Sequence, residues 1–119
     1  MKIGFIGAGN MGSALADAAT KGENKVFIYD KDTDKAKGVA ERLSASYSEL
    51  DALCEACEVI FLGVKPNILP TVSEELIGKL KADTILVSMA AGITLEKLGK
   101  LFPGMPVIST ISDTATFHS

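Results

Sequence analysis

Apolar residues recur along the chain in two registers. Short runs rich in Ile, Val and Phe at about 2–6, 25–29, 58–64, 84–88 and 106–109 have the length of β-strands, with a weaker candidate at 45–47. Between them the spacing becomes helical. Met11, Leu15, Ala18 and Ala19 share one face of a first helix that ends at Gly22, and Ala36, Val39, Ala40 and Leu43 share a face of a second that starts near Thr33. A short third helix is expected from Ser48, with Asp51 in capping-box position, and a fourth after Asn67 that accepts Pro70 in its first turn and aligns Leu69, Val72, Leu76 and Leu80. Thr94 caps a last helix that turns Leu95, Leu98 and Leu101 inward. Strand and helix alternate throughout, and Val59-Ile-Phe-Leu62 and Ile85-Leu-Val87 are continuous apolar runs, as in strands covered on both faces. The expected fold is therefore α/β: a Rossmann-type, doubly wound, mainly parallel sheet with helices on both faces.

The turn after the first strand reads Gly7-Ala8-Gly9-Asn10-Met11-Gly12, a G-x-G-x-x-G run. A glycine run alone is only a turn, but between a strand and a helix each glycine has a mechanical reason. Gly7 permits the tight turn, Gly9 lets backbone approach a pyrophosphate, and Gly12 lets the helix pack closely while its first amides face the phosphates. A dinucleotide site also needs a carboxylate at the end of the second strand. Asp30 closes Lys25-Val-Phe-Ile-Tyr-Asp30, about 20 residues past the glycines, where it can accept from ribose hydroxyls. The cofactor is then NAD(H) or NADP(H). The carboxylate tilts the choice towards NAD(H), while nearby Lys31 and Lys35 are the cations that would hold a 2′-phosphate instead.

The chain's 119 residues, 47% of them hydrophobic, suffice for one domain with a buried core. Twelve basic and fifteen acidic residues are scattered without a patch, giving a net charge of −3; this points to a small-molecule ligand rather than nucleic acid or an anionic membrane. Apolar runs are too short to span a bilayer and no signal-peptide core follows Lys2, so a cytoplasmic location is expected. Cys54 and Cys57 form a C-x-x-C without a second pair, and the only histidine is His118. They read as small apolar fillers, and no metal site is expected.

Gly7-Ala-Gly-Asn-Met-Gly12, Gly63-Val-Lys-Pro-Asn-Ile-Leu-Pro70 and Ser88-Met-Ala-Ala-Gly-Ile93 together resemble pyrroline-5-carboxylate reductase, the family that makes proline by reducing a cyclic imine. The resemblance covers residues 1 to about 108. It implies that the loop of Val64, Lys65 and Pro66 runs along the ribose and nicotinamide end of the cofactor, and that Ala90, Ala91 and Gly92 lie close to the nicotinamide. The two loops follow strand ends, the rim where open α/β sheets bind ligands.

After Val107 and Ile108 the chain departs from the family pattern. Ser112 and Asp113 stand where the family has Pro and Asn, and the long helical domain that follows in the family has no counterpart before Ser119. Residues 1–108 are accordingly expected to be an NAD(P)-binding domain and 109–119 a diverged tail. Such a chain would bind cofactor but not reduce the imine by itself, and would self-associate through surface that the helical domain covers. Ser88, Ser109 and Thr110 are strand-end hydroxyls to which no catalytic role is assigned. Two other readings stand beside this one: a stand-alone NAD(H)-binding module acting through a partner, and another reductase of the same fold such as the F420-dependent NADP reductases, against which the Val64-Lys-Pro66 phrase argues.

Overall fold

Parallel strands cannot be joined by a hairpin, so each must be followed by a crossover that returns the chain to the same end of the sheet. The computed structural model describes residues 1–7, 20–89 and 93–109, and these follow that rule. The strands are β1 (Lys2–Ile6), β2 (Lys25–Tyr29), β3 (Ser46–Tyr47), β4 (Val59–Leu62), β5 (Ile85–Ser88) and β6 (Val107–Ser109), in spatial order β3-β2-β1-β4-β5-β6 with every pair parallel. The helices among the described residues are α1 (Thr33–Leu43), α2 (Leu50–Ala56), α3 (Leu69–Leu76) and α4 (Leu95–Leu101). The fold is Rossmann-like, as the alternation of patterns predicts. The first expected helix lies outside the described residues except for its end, where Thr20 is helical and a turn follows through Gly22.

Alternation along each strand divides the core in two. Ile3, Phe5, Val26 and Ile28 pack on one face of the sheet against Ala36, Val39 and Ala40 of α1. Ile6, Ile60, Leu62 and Leu86 pack on the other against α2, α3 and α4, through Leu53, Leu69, Val72, Leu76 and Leu98. Phe5 and Phe61, register partners on β1 and β4, stack with centroids 4.8 Å apart and planes at 11°. Local chemistry fixes the helix ends. Asp32 caps α1 by accepting from the Lys35 N–H at 3.2 Å, and Ser44 closes it in a left-handed conformation (φ 59°).

Two expectations fail at helix starts. Ser48 does not begin α2: its N–H donates to Ile28 O at 3.0 Å, which ties it to the sheet edge beyond β3, and its hydroxyl donates to Glu49 O rather than accepting from the helix. The helix starts at Leu50, with Glu49 at the N-cap making no side-chain bond. Thr94 does cap α4, accepting from Lys97 N at 3.1 Å, but Leu95 is 44% exposed. Leu98 and Phe102, one turn apart, supply the buried stripe in its place.

Gly4 sits in the middle of β1, where a glycine ordinarily weakens a strand. Here it makes room. A Cβ at this position would lie 2.6 Å from Leu53 Cδ2 and 2.9 Å from Cys57 Sγ, so its absence sets how closely α2 rests on the sheet. Gly4→Ala is expected to overpack this contact and destabilise the fold by about 1–3 kcal/mol. Urea unfolding checks it: the midpoint should fall with little change in slope, and an unchanged midpoint would mean that α2 has room to spare.

Candidate dinucleotide-binding site

Strand order reverses between β1 and β4: from β1 the chain builds outward to β2 and β3, then crosses back to build β4, β5 and β6 on the other side. Open α/β sheets take ligands at such a switch point, outside the strands' C-terminal ends. Gly7, the residue after β1, holds φ 99° and donates its N–H to Tyr29 O at 2.8 Å. Gly63, the residue after β4, donates to Ile6 O at 2.7 Å. The two meet directly: a Cβ on Gly7 would stand 2.6 Å from Gly63 O.

A cavity of about 120 Å³ opens beside this contact, walled mainly by Ile6, Tyr29, Leu50, Val64, Ile68 and Val72, with Gly7 at its floor and Asp30, Lys31 and Glu75 at its rim. A second, polar hollow of about 330 Å³ shares Tyr29, Asp30, Lys31 and Leu50 with it and adds Thr33, Tyr47, Glu49 and Asp51. Asp30 thus stands where an apolar slot meets a polar one. One of its oxygens accepts from Asp32 N at 2.9 Å, which orients the carboxylate at the strand end. Lys31 Nζ lies 3.0 Å from Glu75 Oε1 across the rim. Burial, followed by the nearby Glu75 carboxylate, holds the Tyr29 hydroxyl above its usual range, so it remains protonated.

Of the expected site residues, Gly7, Asp30 and Val64 converge on the apolar cavity. Lys65 and Pro66 are exposed beside it in the turn that leads into α3, their carbonyls accepting from Ile68 N and Leu69 N. Ala8, Gly9, Asn10, Met11 and Gly12, and likewise Ala90, Ala91 and Gly92, lie outside the described residues. Met89, just before the latter three, is buried, donates to Leu62 O at 3.1 Å and places its methyl against Gly63. Sequence reasoning did not single out Tyr29, Leu50, Ile68, Val72 or Glu75 as site residues. A signal existed for three of them: Ile68, Val72 and Glu75 are spaced four and three apart, one stripe of α3 beside the buried Leu69 and Leu76.

A larger hollow of about 650 Å³ lies at the start of β2 and the end of α1, lined by Thr20, Asn24, Lys25, Arg42, Ser44 and Ser46 among others. It is at the opposite end of the strands from the switch point and gathers none of the expected residues. Among the described residues no three His, Cys, Asp or Glu side chains group to hold a metal, and no helix is long and apolar enough to cross a membrane.

The family described as NADP oxidoreductase, coenzyme F420-dependent, has a model that matches residues 2–92. The chain belongs to that family. Pyrroline-5-carboxylate reductase of Escherichia coli (strain K12) is 34% identical over 104 residues, covering 83% of this chain and 39% of that protein. The structure of 1-pyrroline-5-carboxylate reductase from Streptococcus pyogenes superposes with a TM-score of 0.79 at 30% identity over 92% of this chain and 41% of that one. That of Plasmodium falciparum pyrroline carboxylate reductase, solved with NADP bound, gives 0.72 at 26% identity over 92% and 41%. The chain therefore matches the N-terminal NAD(P)-binding domain of these reductases and spans about two fifths of their length.

Cys54 and Cys57 are free and fully buried, at the end of α2 and just beyond it. Burial pushes both thiols up, from 9.0 to about 11, and outweighs the opposing pull of Lys79 on Cys54 and of Lys81 and Lys2 on Cys57. A thiol raised in the folded state ionises first in the unfolded chain. Its contribution to stability is full below about pH 9 and is lost as pH rises through about 11. The decline in urea midpoint over that window should be shallower in a Cys54→Ala/Cys57→Ala variant; identical slopes would mean that the thiols ionise as freely in the fold as outside it.

Proposed function

We propose that the chain is the cofactor-holding domain of a pyrroline-5-carboxylate reductase, a cytoplasmic enzyme that reduces a cyclic imine to proline. The observation that carries the proposal is the convergence of Gly7, Asp30 and Val64, chosen from sequence alone, on one apolar cavity at the switch point. The cavity's chemistry fits an adenosine: apolar walls from Leu50, Val64 and Ile68 for the flat base, and the Asp30 carboxylate at the rim for ribose hydroxyls. Residues 1–108 form the domain in this reading, and β6 carries it one residue further to Ser109.

In the proposed site, the amides around Ala8 to Met11 hold the pyrophosphate. From Val64 at the edge of the cavity, the loop of Val64, Lys65 and Pro66 runs on along the ribose and nicotinamide end of the cofactor, and Ala90, Ala91 and Gly92 border the nicotinamide. The bound nicotinamide supplies the hydride. The chain's own work is to bind and orient, and no residue is assigned proton transfer. Asp30 favours free ribose hydroxyls, so NAD(H) is preferred over NADP(H). Ile85 and Ile108, exposed on one face of β5 and β6, give an apolar surface through which copies self-associate.

The matching family's description supports a second reading, an oxidoreductase passing hydride between NADP and coenzyme F420. Following the absorbance of the reduced nicotinamide with pyrroline-5-carboxylate or with F420 separates the two. Under the first reading only the imine oxidises the cofactor, and this requires the reductase's remaining domain; this chain alone turns over far below the ~10 per second of an ordinary enzyme.

Ile68→Asp tests the binding site itself. Ile68 is 40% exposed and its side chain makes no capping bond at the start of α3, so the fold should tolerate the change. The same carboxylate would enter the cavity wall, and NADH affinity is expected to drop by about tenfold or more with an unchanged melting temperature. Unaltered affinity would move the adenosine elsewhere.

A further inference from the structure

Among the described residues, Lys31 is the one cation lining the two cavities that meet at Asp30. Its Nζ is held 3.0 Å from Glu75 Oε1, on α3 across the apolar slot. The other charged residues lining these cavities are acidic: Asp30 at the junction, and Glu49 and Asp51 around the polar hollow. A dinucleotide with a phosphate on its adenosine ribose needs a cation here, because that phosphate replaces a hydroxyl with concentrated negative charge next to Asp30.

We infer that Glu75 is a specificity-determining residue: it engages Lys31, the cation that a 2′-phosphate would use, so that the site turns against the 2′-phosphorylated cofactor. The inference rests on the dinucleotide reading of the crevice. The two carboxylates have different tasks within it. Asp30 accepts from the ribose hydroxyls that NAD(H) presents, while Glu75 withholds the counter-charge that NADP(H) requires. Lys31 is 64% exposed and Glu75 32% exposed, so solvent screens the pair and its hold is modest. It shifts a ratio of affinities and does not block a ligand. Position 75 is invisible as a cofactor residue in the chain, 45 positions beyond Asp30, and only the fold, which sets Glu75 of α3 and the end of β2 on one cavity, brings them together.

Calorimetric titration of the purified protein with NADH and with NADPH tests this, using the wild type, Glu75→Gln, and Glu75→Gln combined with Lys31→Ala. Release of Lys31 in Glu75→Gln should raise the affinity for NADPH relative to NADH by about fivefold, the ratio equivalent to ~1 kcal/mol for an exposed pair. Adding Lys31→Ala should cancel that gain, and raising the ionic strength should shrink it. Glu75→Ala gives the same direction should the amide variant disturb α3. If both nucleotides bind and the ratio is the same in wild type and Glu75→Gln, Glu75 has no such role and the crevice reading stands. A gain that survives Lys31→Ala also overturns the inference, because Lys31 would then not be the group released. Absence of binding by either nucleotide to the folded wild type removes the inference and the crevice reading together.

Discussion

The contact between Gly7 and Gly63 is the constraint on which the rim of the sheet depends. The loops leaving β1 and β4 part at the switch point, and their backbones touch as they do so, with no space for a Cβ between them. The hydrogen bonds from Gly7 to Tyr29 and from Gly63 to Ile6 carry the ladders one residue past the strands, so that β2, β1 and β4 end level. A level rim brings Asp30 and Val64 to one cavity. Gly7 therefore has a structural reason to be glycine, through its φ of 99° and its crowding, before any phosphate is considered.

Strand positions were legible because the inner parallel strands leave apolar runs, and Val59–Leu62 and Ile85–Ser88 show what those runs become, although Ile85 at the start of β5 stays exposed. Helix faces were legible where the buried stripe was wide, as in α1. Ser48 misled because a hydroxyl ahead of a helix looks the same whether it caps the helix or follows a strand; its bond to Ile28 decides, and that partner lies 20 residues away. Gly4 read only as part of an apolar strand. Its meaning lies in Leu53 and Cys57, which it meets only after folding. The C-x-x-C spacing turned out to be a packing period, with residues three apart facing one core.

Only part of the candidate site was legible, for a related reason. Gly7 and Asp30 belong to a local pattern with mechanical logic, and Val64 to a phrase resembling a known family. Val72 and Glu75 belong to no such phrase, and Ile68 sits in the same phrase as Val64 without being marked in it as a site residue. Periodicity that sorts residues into inside and outside reads the buried Val72 as core alone and passes over a half-exposed isoleucine at the mouth of α3. The cavity wall also joins loops and a helix remote in sequence, so its shape emerges only from tertiary packing.

The central claim is that a dinucleotide lies at the β1–β4 switch point with its adenosine against Leu50, Val64 and Ile68. Backbone amide shifts on titration with ADP-ribose, which lacks the nicotinamide, test it most directly because two separate hollows compete for the ligand. The account predicts that the largest changes cluster at Gly7, Tyr29, Asp30, Val64 and Ile68. Changes centred instead on Lys25, Arg42 and Ser44 would place the ligand in the larger hollow at the other end of the strands and contradict it.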